Sequence, residues 1–125
     1  MNKPIKLPGP DHPITITPGR SRVRVMLNGQ AVADTRRALV LQEASYRPVF
    51  YIPRDDAQMA WLTKTAHGTH CPYKGDASYY TIKAGDRVAE NAVWSYETPY
   101  PAMHAIAGHL AFYPDCVDAI EVEKA

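Results

Sequence analysis

Proline punctuation limits this chain to short elements. Eleven of its 125 residues are proline, against a usual share of about 5%, and each one fixes φ and removes a backbone donor. Pro4, Pro8, Pro10 and Pro13 fall together with Gly9, where neither helix nor ladder is favoured. Residues 1–13 therefore read as an extended N-terminal arm and residues 14–125 as one domain. Beyond the arm, apolar residues alternate with period two, the mark of half-buried strands. Ile14–Thr17 alternates before the turn pair Pro18-Gly19. Ser21–Leu27 sets Val23, Val25 and Leu27 on one face and Arg22, Arg24 and Met26 on the other. Asn28-Gly29 follows. Both residues tolerate positive φ, which predicts a tight hairpin returning through Gln30–Asp34.

The same logic runs on to the C-terminus. Arg36–Glu43 reads as a third strand and Val49–Ile52 as a fourth, closed by Pro53. Asp55 predicts the cap of a short helix over Asp56–Thr63, its carboxylate accepting from first-turn amides; the pair Asp55-Asp56 then serves cap and helix dipole rather than a metal. Thr65–His70 reads as a loop. Ser78–Ile82 and Arg87–Tyr96 predict a second hairpin through Ala84-Gly85-Asp86, with Val88, Ala92, Trp94 and Tyr96 on one face. Pro101 opens a short helix ended by Gly108, and His109–Tyr113 and Val117–Val122 close the chain as strands. The expected class is mainly β (all-β to α+β), with antiparallel sheets and one or two short helices.

At this length a single core forms without staples. The net charge of +1, from 14 basic and 13 acidic residues, offers no electrostatic case for nucleic acid or an anionic membrane surface. No apolar run reaches the length of a membrane span, and Met1–Lys6 lacks the apolar region of a secretory signal. Two cysteines, Cys71 and Cys116, make no disulfide framework. These features imply a cytoplasmic protein without disulfides, and they leave room for a homodimer.

Chemistry concentrates in Thr69–Tyr80, where a thiol, an ammonium, a stiff proline, a glycine and three phenols crowd twelve residues. Cys71 and Lys74 have the spacing by which a tight turn brings two side chains to one side. Gly75 can take positive φ and release the chain into a strand. Glu43 shares a strand face with Leu39 and Leu41, so it either caps a strand end in solvent or enters a pocket as a partner for Lys74. Trp94 and Tyr96 point to one side and either fill the core or floor that pocket. The candidate ligand-binding set is Glu43, Tyr51, Thr69, Cys71, Lys74, Tyr79, Trp94, Tyr96 and Phe112: aromatic walls with few polar groups, the usual make-up of a cavity for a small polar or aromatic molecule.

Other chemistries have weaker support. His67, His70 and Cys71 lie close together, but a zinc site needs a further ligand and fixed geometry, so no metal and no cofactor are expected. Lys74 beside Cys71 would favour a thiolate, making both candidate catalytic residues, with His70 or His109 as base. Nucleotidyl transfer wants converging carboxylates or a phosphate cradle, and neither pattern is present. A structural or protein-interaction module, with the aromatics as core, is the remaining alternative.

Several segments taken together resemble a known bacterial family. They are Val32-Ala33-Asp34-Thr35, Pro48–Arg54, the run Thr69-x-Cys71-Pro72-Tyr73-Lys74-Gly75-x-Ala77-x-Tyr79, Trp94-x-Tyr96 and Ala111-Phe112-Tyr113. The family is domain of unknown function 427, sometimes labelled nucleotidyltransferase-like, and the likeness covers about residues 10–122. It implies a β-tent: two antiparallel sheets meeting at an angle, a fold shared with zinc-knuckle domains. It implies no established function. Cys116 and His67 lie outside the motif. Where zinc knuckles place two thiolates two residues apart, this chain has Cys71 and then Lys74, so an ammonium would stand near the place of the ion.

Overall fold

The computed structural model describes residues 5–123. Ten strands run through them: β1 (Ile14–Pro18), β2 (Arg22–Leu27), β3 (Gln30–Thr35), β4 (Leu39–Glu43), β5 (Val49–Tyr51), β6 (Leu62–Cys71), β7 (Gly75–Ala84), β8 (Arg87–Ser95), β9 (Ala111–Phe112) and β10 (Ala119–Glu123). The fold is mainly β. All strand pairs are antiparallel, in three sheets ordered β1-β4-β5, β10-β2-β3 and β6-β7-β8-β9. Three hydrogen-bonded sheets stand where two were expected, but two of them are stitched together. Ile52 and Leu110 exchange N–H···O bonds of 2.7 and 2.8 Å, which joins the end of β5 to the segment entering β9.

The β2–β3 hairpin forms as its sequence dictates. Asn28 and Gly29 take φ of 56° and 73°, the two left-handed residues of a primed turn that matches strand twist. Val23, Val25 and Leu27 are fully buried, while Arg22 and Arg24 face outward to pair with Asp34 and Glu121. The β7–β8 hairpin likewise turns at Gly85, with φ of 64°.

Four local expectations are corrected. No α-helix spans 56–63. Two 3-10 turns, Arg54–Asp56 and Met59–Trp61, lead directly into β6, and Pro53 rather than Asp55 stands at the cap position with no side-chain bond. Asp56 instead accepts from Thr35 and Arg37. Residues 65–70 belong to β6, an edge strand whose exposed Thr63, Lys64, Ala66 and His67 carry no apolar alternation. Val88 does not share a face with Ala92. The β7–β8 register shifts between Tyr80 and Ile82, Asn91 takes φ of 50°, and Val88 is left exposed while Ala92 enters the core. The segment after Pro101 is 3-10 over Pro101–Ile106.

Buried side chains form two clusters. The larger is built on Val23, Val25, Leu27, Ile52, Ile82, Val93, Leu110 and Phe112. The smaller gathers Leu41, Tyr51, Tyr79, Tyr96, Met103 and Ile106. Each fully buried large apolar side chain contributes about 1.5–3 kcal/mol. The smaller cluster carries three phenols, and its polar rim forms the site described next.

Candidate functional site

The turn joining β6 to β7 sets the site. Cys71 pairs with Gly75 as the last rung of the hairpin, the Lys74 amide donates to the Cys71 carbonyl at 3.3 Å, and Gly75 takes φ of 110°, a conformation that disfavours any side chain. This closure brings Lys74 Nζ to 3.7 Å from Cys71 Sγ. The Lys74 side chain is 8% exposed, and its ammonium donates to Glu43 Oε1 at 2.5 Å. Glu43 ends β4, so this contact ties the β1-β4-β5 sheet to the β6–β7 turn. The second Glu43 oxygen, Oε2, bonds His12 Nε2 at 2.8 Å, and the His12 ring stacks on Tyr73 with centroids 4.2 Å apart. Lys6 donates its amide to the Pro72 carbonyl at 2.9 Å.

Burial pushes the Glu43 carboxyl up, but hydrogen bonds from Lys74 and His12 outweigh it and hold the group below its ordinary value. Glu43 therefore carries its charge beside Lys74, in a setting where a charge without its partner is costly. Among the described residues, no three His, Cys, Asp or Glu side chains converge as a metal-binding group.

Beside the pair lies a hollow of about 250 Å³. Glu43 and Lys74 line one part of it and Tyr51, Tyr79, Trp94, Tyr96 and Tyr113 make most of the rest, with Arg47 among the lining residues. Trp94 Nε1 donates to the Tyr51 hydroxyl at 3.2 Å, and the two rings meet edge to face at 6.4 Å. Lys74 Nζ lies 5.9 Å from the Tyr96 ring centre. Burial pushes the Tyr51 and Tyr96 phenols well above their ordinary range, so both stay neutral. Tyr79 OH bonds Thr69 Oγ1 at 2.9 Å and Tyr113 OH at 3.2 Å, and Tyr113 leans on Trp94 with ring centres 4.4 Å apart.

Of the residues picked out from sequence, Glu43, Tyr51, Lys74, Tyr79, Trp94 and Tyr96 line one hollow. Cys71 does not line the hollow; it lies 3.7 Å from Lys74 Nζ and packs on the smaller cluster. Thr69 is exposed and does not line the hollow, though its hydroxyl bonds that of Tyr79, which does. Phe112 faces the other way, in the larger cluster. It pairs with Val93, while Ala111 pairs with Trp94; period two then puts Tyr113, not Phe112, beside the indole. Nothing in the sequence marked His12 as a partner of Glu43.

A second polar cluster also escaped sequence reading. Glu97 accepts from Lys64 Nζ at 2.7 Å, Ser78 Oγ at 2.9 Å, Tyr80 OH at 2.7 Å and Arg54 Nη2 at 3.0 Å. Arg54 also donates to the Gly108 carbonyl at 2.7 Å. Burial pushes the Glu97 carboxyl up, but these donors bring it down to about 2. With its oxygens saturated, this carboxylate acts as a clamp between strands.

A family model described as domain of unknown function 427 matches residues 15–123, which is nearly the whole chain. No curated protein matches it.

Proposed function

Because the chain belongs to the domain of unknown function 427 family, we propose its function from the site itself: binding of a small, flat molecule that carries a carbonyl or carboxylate. One observation carries this reading. An ammonium has three N–H donors; Glu43 and Cys71 take two from Lys74, and Lys74 lines a hollow walled by aromatic rings. A third donor is thus left for an acceptor brought in by a ligand. The rings offer rigid faces on which a planar group stacks. The volume of about 250 Å³ lies below the roughly 300–1,000 Å³ of pockets for drug-sized ligands, which favours a compact molecule.

Trp94 fluorescence and thermal shift across a panel of aromatic carboxylates and nucleobases test this. At least one class should quench the indole and raise the melting temperature. The paired variant Lys74→Met/Glu43→Gln, which keeps volume and removes both charges, should abolish that response. A panel without any response, or an unchanged response in the paired variant, would refute the reading.

The 3.7 Å approach of Lys74 to Cys71 Sγ favours one second reading, thiol chemistry at Cys71. In that case a small electrophile such as iodoacetamide should modify Cys71 faster than Cys116, and the Lys74→Met change should remove the difference. Equal rates at the two cysteines would exclude it.

A further inference from the structure

A second hollow, of about 490 Å³, opens on the other side of Trp94 and within the usual size range for ligand pockets. It lies between the β10-β2-β3 sheet and the β5 and β9 strands. Val23 and Val25 from β2 and Ile52 and Phe112 from the opposing side form its floor, and Ile120 and Val122 of β10 line one wall. Strand parity makes that wall apolar: Glu121 and Glu123 alternate to the far face, where they pair with Arg24 and Arg22. The lining contains no acidic residue and one charge, Arg47. Arg47 is exposed, and it has no ion pair or hydrogen-bond partner among the described residues. An apolar slot with a single unpaired guanidinium among its lining residues is complementary to a molecule with an apolar chain and an anionic head.

We propose that this hollow binds a single amphipathic monoanion of the medium-chain carboxylate type, its chain lying along Phe50, Ile120 and Val122 and its head paired with Arg47. This hollow shares Arg47, Val49 and Trp94 with the Lys74 hollow, but neither Lys74 nor Cys71 lines it. Burying each methylene in an apolar slot is worth about fourfold in affinity. Binding should therefore climb steeply with chain length and stop where the hollow is full.

The test is isothermal titration with straight-chain carboxylates from hexanoate to dodecanoate, below their micelle concentrations, with decanol and decyltrimethylammonium as controls. Methyl NMR of the protein locates the site. Support consists of about fourfold tighter binding per methylene, decanoate preferred over both controls, and shifts at the Val23, Val25, Ile120 and Val122 methyls rather than at Leu41. Arg47→Gln should weaken decanoate about tenfold and leave decanol unchanged. Equal binding of carboxylate and alcohol, no dependence on chain length, or shifts confined to Leu41 would each overturn the proposal. So would binding to anionic vesicles without binding of the free carboxylate, or a dimer in sedimentation that protects the Val122 methyls.

Discussion

Replacing Lys74 with Met leaves the Glu43 carboxylate, whose side chain is 16% exposed, facing aromatic rings with His12 as its one remaining side-chain partner among the described residues. Breaking a buried pair from one side typically costs about 3–5 kcal/mol. The lower end applies here, because His12 stays bonded and some solvent reaches the carboxyl. A loss of about 3 kcal/mol corresponds to a melting temperature lower by roughly 12 °C in a chain of this size. Glu43→Gln strands the more deeply buried ammonium and should cost at least as much. The paired Lys74→Met/Glu43→Gln variant removes both charges and should lose no more than about 1 kcal/mol. Urea denaturation of the four proteins at neutral pH gives the cycle directly. The singles should sum to far more than the double, with a coupling of several kcal/mol. If Lys74→Met costs less than about 1 kcal/mol, or if the double loses the full sum, the two groups are not a desolvated pair and the account of the site fails.

Three further perturbations check other parts of the structure. Glu97 has a folded-state value of about 2 against an ordinary 4.5, so its stabilising effect is complete above the ordinary value and is lost as pH falls through the folded one; between about pH 5 and 2.5 the Glu97→Gln variant should lose less stability in urea than the parent. Gly75→Ala places a side chain at φ of 110° and should cost about 2 kcal/mol, with weakened hydrogen-exchange protection at the Cys71 and Gly75 amides. Trp94→Phe deprives the buried Tyr51 hydroxyl of its donor and should cost about 1–3 kcal/mol beyond lost packing; adding Tyr51→Phe should return part of that loss in the same denaturation assay.

What the sequence shows of this fold is what local physics decides. The β2–β3 hairpin is legible because Asn28-Gly29 sets the turn and Val23, Val25 and Leu27 set the buried face, all within adjacent residues. Glu43 is legible because a carboxylate breaks an apolar strand face, and Lys74 because its turn spacing is local. β6 is not legible: an edge strand with both faces largely wet has no hydrophobic period to show. Residues 54–63 mislead because acidic residues after Pro53 suit a helix start equally well as a pair of 3-10 turns. Phe112 lies in the larger cluster and not on the Lys74 hollow, because its pairing with Val93 sets its face and a two-residue strand carries too little alternation to show that beforehand. The Glu97 clamp and the His12 contact join residues tens of positions apart, and no periodicity encodes such meetings.

The indole of Trp94 borders both hollows, which makes it a party wall. A guest on one side that tilts the ring reshapes the room on the other. Thermodynamic linkage then requires the influence to be mutual and equal in size: whatever factor the first guest imposes on the second, the second imposes on the first.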